Sequence, residues 1–227
     1  MGKRGAGKRR YDRAGCGMVG RIITCDDDIA EGTAWLCACE PRFAQVCAQT
    51  GPWPLRRRED GFAALRDAII GQQVSVAAAS AIKSRVIEAG FGAPNAIAGG
   101  TEEDLRACGL SRQKVRYLQA LAGSGLDFDA LRSLPDEEVI AQLLPIPGIG
   151  RWTVEMYLIF ALGRADVFAV DDLALAEAAR LLFDLAERPK RKEFNALSAA
   201  WSPWRAVAAR GLWAYYAACK NREGVAP

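Results

Sequence analysis

The stretch Leu143–Asp172, LLPIPGIGRWTVEMYLIFALGRADVFAVDD, constrains the fold of this 227-residue chain more than any other part of it. Pro145 and Pro147 cannot continue a helix, and Gly148 and Gly150 flank Ile149 where a positive φ is cheap, so one helix must end here and another begin near Arg151. A turn of this kind points backbone N–H groups outward at a helix N-terminus, where the helix dipole favours a phosphate oxygen. The far end of the stretch carries different chemistry. After about ten residues of helix, the turn residues LGRAD and an apolar run deliver Asp171 and Asp172 to the start of a further helix, DLALAEAARLLF. The helix from Trp152 to Leu162 advances about 15 Å, and the nine residues from Gly163 to Asp171 could span about 30 Å if extended. The chain can therefore fold back and set Asp172 beside Trp152, next to the phosphate-gripping turn.

The remainder reads as helices. Asp26–Asp28 open a helical stretch that Gly32 and Pro41 are expected to split, and Gly51-Pro-Trp-Pro ends it. Phe62, Leu65, Ile69, Val76, Ala79, Ile82 and Val86 recur at helical spacing, which predicts a helix over Phe62–Gly90. Gln72 interrupts that stripe. Either the pair Gln72-Gln73 satisfies buried backbone groups, or the helix opens at Gly71 and presents the amides into a cleft. Residues 91–100 read as a loop; Thr101 and Ser111 cap two short helices; Pro135-Asp-Glu-Glu starts a third that runs into Leu143. After Asp172 a helix to about Glu187, a charged loop and an aromatic last helix follow. No strand-like alternation of useful length occurs, so the fold class is all-α.

Composition removes whole classes of chemistry. The chain has no histidine, which excludes Ser-His-Asp and Cys-His nucleophile systems and histidine metal sites. A net charge of +3 permits a localised nucleic-acid face without requiring one. No stretch reaches about 18 uncharged apolar residues, so no membrane span or membrane partner is expected. Seven scattered cysteines without a secretion signal suggest free thiols in a reducing cytoplasm, read as small buried hydrophobes. None forms a four-cysteine loop for an iron–sulfur cluster, and no organic cofactor is expected. Residues 1–22 read as a basic tail and 23–227 as the folded domain.

Three motifs together carry a family resemblance: Leu144-Pro-Ile-Pro-Gly-Ile-Gly-Arg-Trp-Thr followed by Asp172, Ile70-Gly-Gln-Gln-Val-Ser upstream, and Trp201-Ser-Pro-Trp-Arg downstream. The chain resembles the helix-hairpin-helix DNA glycosylase superfamily, within it the alkylpurine branch typified by DNA-3-methyladenine glycosylase II. The resemblance implies a two-lobed helical fold with the active-site cleft between lobes and the hairpin at about residues 143–156. It also implies base excision: a damaged base is flipped out of double-stranded DNA and its N-glycosidic bond is hydrolysed. The position of Trp152 holds a lysine nucleophile in bifunctional relatives; an indole cannot form a Schiff base, so a monofunctional enzyme is expected. The family pattern puts the catalytic carboxylate second in its pair, twenty residues after the tryptophan, which selects Asp172 over Asp171.

Trp152 and Trp213 match the family's base-pocket positions. Where some relatives carry a pocket tyrosine this chain has Met156, with Tyr157 next, which implies a softer wall. Gly148, Ile149, Gly150 and Thr153 would grip a DNA phosphate, Gln73 would fill the gap left by the flipped base with Gln72 beside it, and the carbonyls of Leu144, Ile146 and Ile149 would hold K⁺ or Na⁺. The expected partner is duplex DNA with alkylated bases, the expected state a monomer, and the short polar start leaves no room for the N-terminal β-rich domain of some bacterial relatives. The alternatives are a hairpin module that binds DNA without catalysis, and a glycosylase for another lesion such as hypoxanthine or uracil.

Overall fold

In the computed structural model, which describes residues 19–220, thirteen α-helices follow one another. They are α1 (Asp26–Cys39), α2 (Arg42–Thr50), α3 (Phe62–Gly71), α4 (Val76–Glu88), α5 (Pro94–Gly99), α6 (Glu102–Ala107) and α7 (Arg112–Ala122). Then come α8 (Phe128–Leu131), α9 (Asp136–Leu143), α10 (Arg151–Met156) running into a π turn (Tyr157–Ala161), α11 (Leu173–Leu182), α12 (Arg191–Ala199) and α13 (Arg205–Cys219). Among the described residues the one β pairing is an isolated antiparallel bridge between Ile22 and Arg164.

The helices form two groups. The chain's ends return to each other: α13 packs on α1, α2 and α11, while α3 packs on α4 and α7, and α5 and α6 on α7. Between the groups, α10 and its π turn touch α9 and α3. The first group is closed by an aromatic cluster in which Trp201 meets Phe43, Phe168, Phe183 and Phe194. Trp201 and Trp204 are fully buried, so two of the three tryptophans near the C-terminus serve the core.

Several sequence expectations need correction. Gly32 does not split the first helix: α1 runs through it, because a Cβ there would come within 2.7 Å of Trp204, and the glycine serves close packing rather than a break. The expected helix over Phe62–Gly90 is two helices, α3 and α4, separated at Gln72–Ser75, with Ser75 capping α4 by accepting from the Ala78 N–H at 3.2 Å. The loop at 91–100 contains α5, with Pro94 at its first turn. The charged stretch after Glu187 holds α12, whose Glu193 carboxylate accepts from the Lys190 N–H at 2.8 Å. The helix after Asp172 stops at Leu182. Residues 1–18 of the expected tail lie outside the described residues, yet its end is docked: Arg21 pairs with Asp28 and Glu31 and covers the Trp204 ring at 4.4 Å. Of the described cysteines only Cys108 is buried; Cys37 and Cys47 are half-buried and Cys25, Cys39 and Cys219 are exposed.

Candidate active site

The return path from α10 to α11 is pinned along its length. The π turn closes through the Leu162 N–H donating to the Tyr157 carbonyl at 3.0 Å, and Gly163, at φ 73°, turns the chain where a side chain would strike the Ile23 carbonyl. Arg164, 1% exposed, donates to the carbonyls of Leu131, Arg132 and Leu134 and pairs with Asp136 at 3.2 Å. Asp166 accepts Arg205 in a two-pronged bond at 2.7 and 3.1 Å and the Ser202 hydroxyl at 2.8 Å. The Trp201-Ser-Pro-Trp-Arg motif is thereby explained: its tryptophans fill the core and its polar residues hold the segment that delivers the Asp pair.

At the end of that segment Asp172 caps α11, its Oδ1 accepting the N–H groups of Ala174 and Leu175, both at 2.9 Å. Two indoles converge on the same carboxylate. Trp152 Nε1 donates to Oδ2 at 2.8 Å and Trp213 Nε1 to Oδ1 at 3.3 Å. Three elements distant in sequence, α10, α11 and α13, thus meet at one acid. Trp152 is 41% exposed and Trp213 only 8%. One ring is open to solvent; the other is packed inside. Asp171 points elsewhere, into an ion pair with Arg191. Met156 is buried one turn along α10 from Trp152, on the same helix face. Tyr157 is committed to the interior, its hydroxyl accepting the Gly61 N–H at 3.1 Å, and burial pushes its phenol above the ordinary range.

The hairpin faces the α3–α4 turn across a groove of about 480 Å³ lined by residues 144–150, Gln72, Gln73, Ser111, Gln113, Lys114 and Tyr117. Gly148 takes φ 88° with its α-carbon against Tyr117, so no side chain fits there. Gly150 has an ordinary extended backbone (φ −88°) and serves as the N-cap of α10, so the expectation of positive φ holds for Gly148 and not for Gly150. The N–H groups of Gly150, Arg151, Trp152 and Thr153 meet no acceptor among the described residues, as a helix N-terminus requires. Thr153 is buried at 8% exposure, so it offers its backbone N–H rather than an exposed hydroxyl; the Ile149 side chain is also buried. Gln72 Nε2 donates to the Gly148 carbonyl at 2.8 Å, which ties the α3–α4 turn to the hairpin; the helix ends at Gly71, and Gln72 satisfies a backbone group while lining the groove, so each alternative for the pair holds in part. Gln73 is exposed and held at φ 56°, a strained position that projects it from the turn.

Three residues in this region escaped sequence reasoning. Lys114 bonds the Ile70 carbonyl at 2.7 Å and holds α7 to the end of α3; burial lowers its pKa. Tyr117 forms the floor under Gly148. Glu155, 2% exposed, bonds Arg151 at 2.8 Å, and burial raises its carboxyl above the usual range. A lone charge in the apolar run from Trp152 to Leu162 was the available signal.

Comparison with known proteins gives a consistent picture. The family described as "HhH-GPD superfamily base excision DNA repair protein" matches residues 67–203. DNA-3-methyladenine glycosylase 1 of Schizosaccharomyces pombe is 37% identical over 181 residues, 76% of this chain and 79% of that protein. The crystal structure of a DNA-3-methyladenine glycosidase from Bacillus halodurans superposes with a TM-score of 0.72 at 32% identity, covering 88% of this chain and 93% of that one. A Schizosaccharomyces pombe 3-methyladenine DNA glycosylase in complex with abasic DNA aligns at a TM-score of 0.68 and 27% identity, over 87% of this chain and all of that one.

Proposed function

This chain belongs to the HhH-GPD superfamily of base excision DNA repair proteins, and from that premise we propose that it is a monofunctional glycosylase of the 3-methyladenine type. Its substrate is duplex DNA with an alkylated base, which it flips out and releases by hydrolysis of the N-glycosidic bond, leaving an abasic site. The observation that carries this reading is the convergence of the Trp152 and Trp213 indoles on the two oxygens of Asp172.

That arrangement supports one kind of chemistry. Asp172 receives four N–H donors, from both indoles and from Ala174 and Leu175. Such donors orient a carboxylate and draw off its electron density, which makes it a poor nucleophile and a well-aimed negative charge. Its role is to stabilise positive charge developing on the sugar as the bond to the base breaks, while water attacks the anomeric carbon. A base alkylated at N3 or N7 of a purine carries positive charge and leaves neutral, so no general acid is required, in keeping with a chain that has no histidine. The exposed Trp152 face attracts such a base through its ring quadrupole. The group beside Asp172 at the hairpin position is an indole, which cannot form a Schiff base, and this supports hydrolysis without strand scission.

The hairpin supplies DNA grip. Unpaired N–H groups at the start of α10 meet a phosphate, and Gln73 enters the space the flipped base vacates. The carbonyls of Leu144 and Ile149 accept no hydrogen bond among the described residues, and that of Ile146 accepts only the Ile149 N–H at 3.0 Å, which leaves lone pairs for K⁺ or Na⁺. Such an ion would add positive charge beside the phosphate.

The test is base release from duplexes each carrying one defined lesion, including 3-methyladenine, 7-methylguanine, hypoxanthine and uracil, with and without alkali. The reading expects release of the methylated bases, strand scission only after alkali, and loss of turnover with retained duplex binding in Asp172→Asn. Scission without alkali, or normal turnover by that variant, would overturn it.

A further inference from the structure

Behind Trp213 lies a charge that the reaction does not use. Arg210 is one turn before Trp213 on α13, only 2% exposed, and no carboxylate among the described residues pairs with it. Its guanidinium donates to the carbonyls of Ala206 at 2.8 Å, Leu55 at 3.2 Å and Ile159 at 3.3 Å. It lies 4.9 Å from the centre of the Phe160 ring, and Phe160 in turn packs 5.6 Å from Trp213 at 33°. Arg58 covers Phe160 as well, at 5.8 Å. Pro54, Arg56, Phe160, Arg210 and Trp213 line one narrow crevice, so a second arginine shares the space beside the tryptophan. Arg56 is held there at φ 45°, a left-handed backbone uncommon for any residue but glycine. Burial lowers the Arg210 pKa to about 9, with Arg57 and Arg56 pushing the same way, so it remains charged at neutral pH.

We propose that Arg210, assisted by Arg58, sets the charge selectivity of the base pocket by opposing a cationic base from behind the Phe160–Trp213 wall. The inference rests on the base-excision reading of the same site. The aromatic rings attract a cation; the guanidinium behind them repels it. A unit charge about 10 Å away through a medium of effective dielectric about 20 changes the binding of a cation by a factor on the order of ten. The buried charge therefore narrows the advantage of permanently cationic bases over neutral ones, so that being a lesion with the right shape counts for more than being charged. Arg58 is more exposed, and its share is smaller and screened by salt.

The experiment compares kcat/KM on two duplexes of one sequence, one with cationic 7-methylguanine and one with neutral hypoxanthine, the detection limit standing for the rate where no base is released. Wild type, Arg210→Met and Arg58→Gln are measured at low salt. The ratio of cationic to neutral substrate should rise on the order of tenfold in Arg210→Met, and in the same direction by less in Arg58→Gln. A structural role alone would lower both rates together. Equal loss on both duplexes, or an unchanged ratio, overturns the inference and leaves the reaction intact. Absence of base release from every lesion by wild type overturns the reaction itself. If Arg210→Met fails to fold, Arg58→Gln decides: an unchanged ratio at low salt overturns the inference.

Discussion

Asp172 and its neighbour Asp171 differ by one position and have opposite surroundings. The first is held by two indoles and a helix N-terminus; the second is spent on Arg191. The difference predicts opposite outcomes. A hydrogen bond to a charged group contributes about 1.5–3 kcal/mol, so Trp152→Phe, which keeps a ring and removes the Nε1 donor, should lower kcat by about tenfold or more with little change in duplex affinity. Asp171→Asn should change kcat by less than about twofold, as for a surface substitution. Single-turnover base release measures both, and a larger loss for Asp171→Asn than for Trp152→Phe would reverse the assignment. The Asp172–Trp152 pair was legible in the sequence because chain length permits the contact and the motif names the residues. The setting of Arg210 was not, since nothing in an apolar helix run tells which ring will pack against its guanidinium.

At the scale of the element, the hairpin works only if its turn and its floor fit together. Gly148 combines φ 88° with a position where a Cβ would lie 2.4 Å from the Tyr117 ring. Gly148→Ala should therefore displace the turn, at about 1–3 kcal/mol, and weaken duplex binding while leaving the distant aromatic core folded. Fluorescence anisotropy with a labelled duplex, alongside thermal melting, separates the two effects. Unchanged affinity would remove the hairpin from the DNA interface. Gln72→Ala cuts the 2.8 Å tie to the Gly148 carbonyl and should weaken binding in the same direction by a smaller amount, within the roughly 1 kcal/mol typical of one hydrogen bond. The Pro-Ile-Pro-Gly-Ile-Gly turn was readable because proline and glycine act locally. The break between α3 and α4 was only half readable, because apolar spacing continues across it and tertiary contacts to the hairpin decide it.

On the whole-molecule scale, Glu177 joins parts that the sequence sets far apart. On α11 it bonds Arg180 at 2.9 Å and Arg188 of the charged loop at 2.9 Å, and Lys220 at the end of α13 lies 3.8 Å away. Hydrogen bonds from Arg180 and Arg188 lower its carboxyl from an ordinary 4.5 to about 2. A lowered carboxylate stabilises the fold above its unfolded value, and that contribution is lost as pH falls from about 4.5 towards 2. Glu177→Gln should flatten the stability–pH curve across this window and leave its shape near neutrality unchanged; urea unfolding at stepped pH measures it, and an unaltered acid limb would discount the network.

The chain by itself determined the helical class and the hairpin, because propensity, prolines, glycines and apolar period act over a few residues. The family resemblance added the choice of Asp172 over Asp171 and the tryptophans that meet it. Tertiary structure alone decided the rest: that Gly32 serves the contact with Trp204 rather than a break, that Gln72 holds the hairpin, that Lys114 is spent on a carbonyl, and that the Arg210 guanidinium lies over the Phe160 ring with no carboxylate partner among the described residues. Each of those roles depends on groups tens of residues away. Burial and charge partners are properties of the packed core, and no local pattern encodes them.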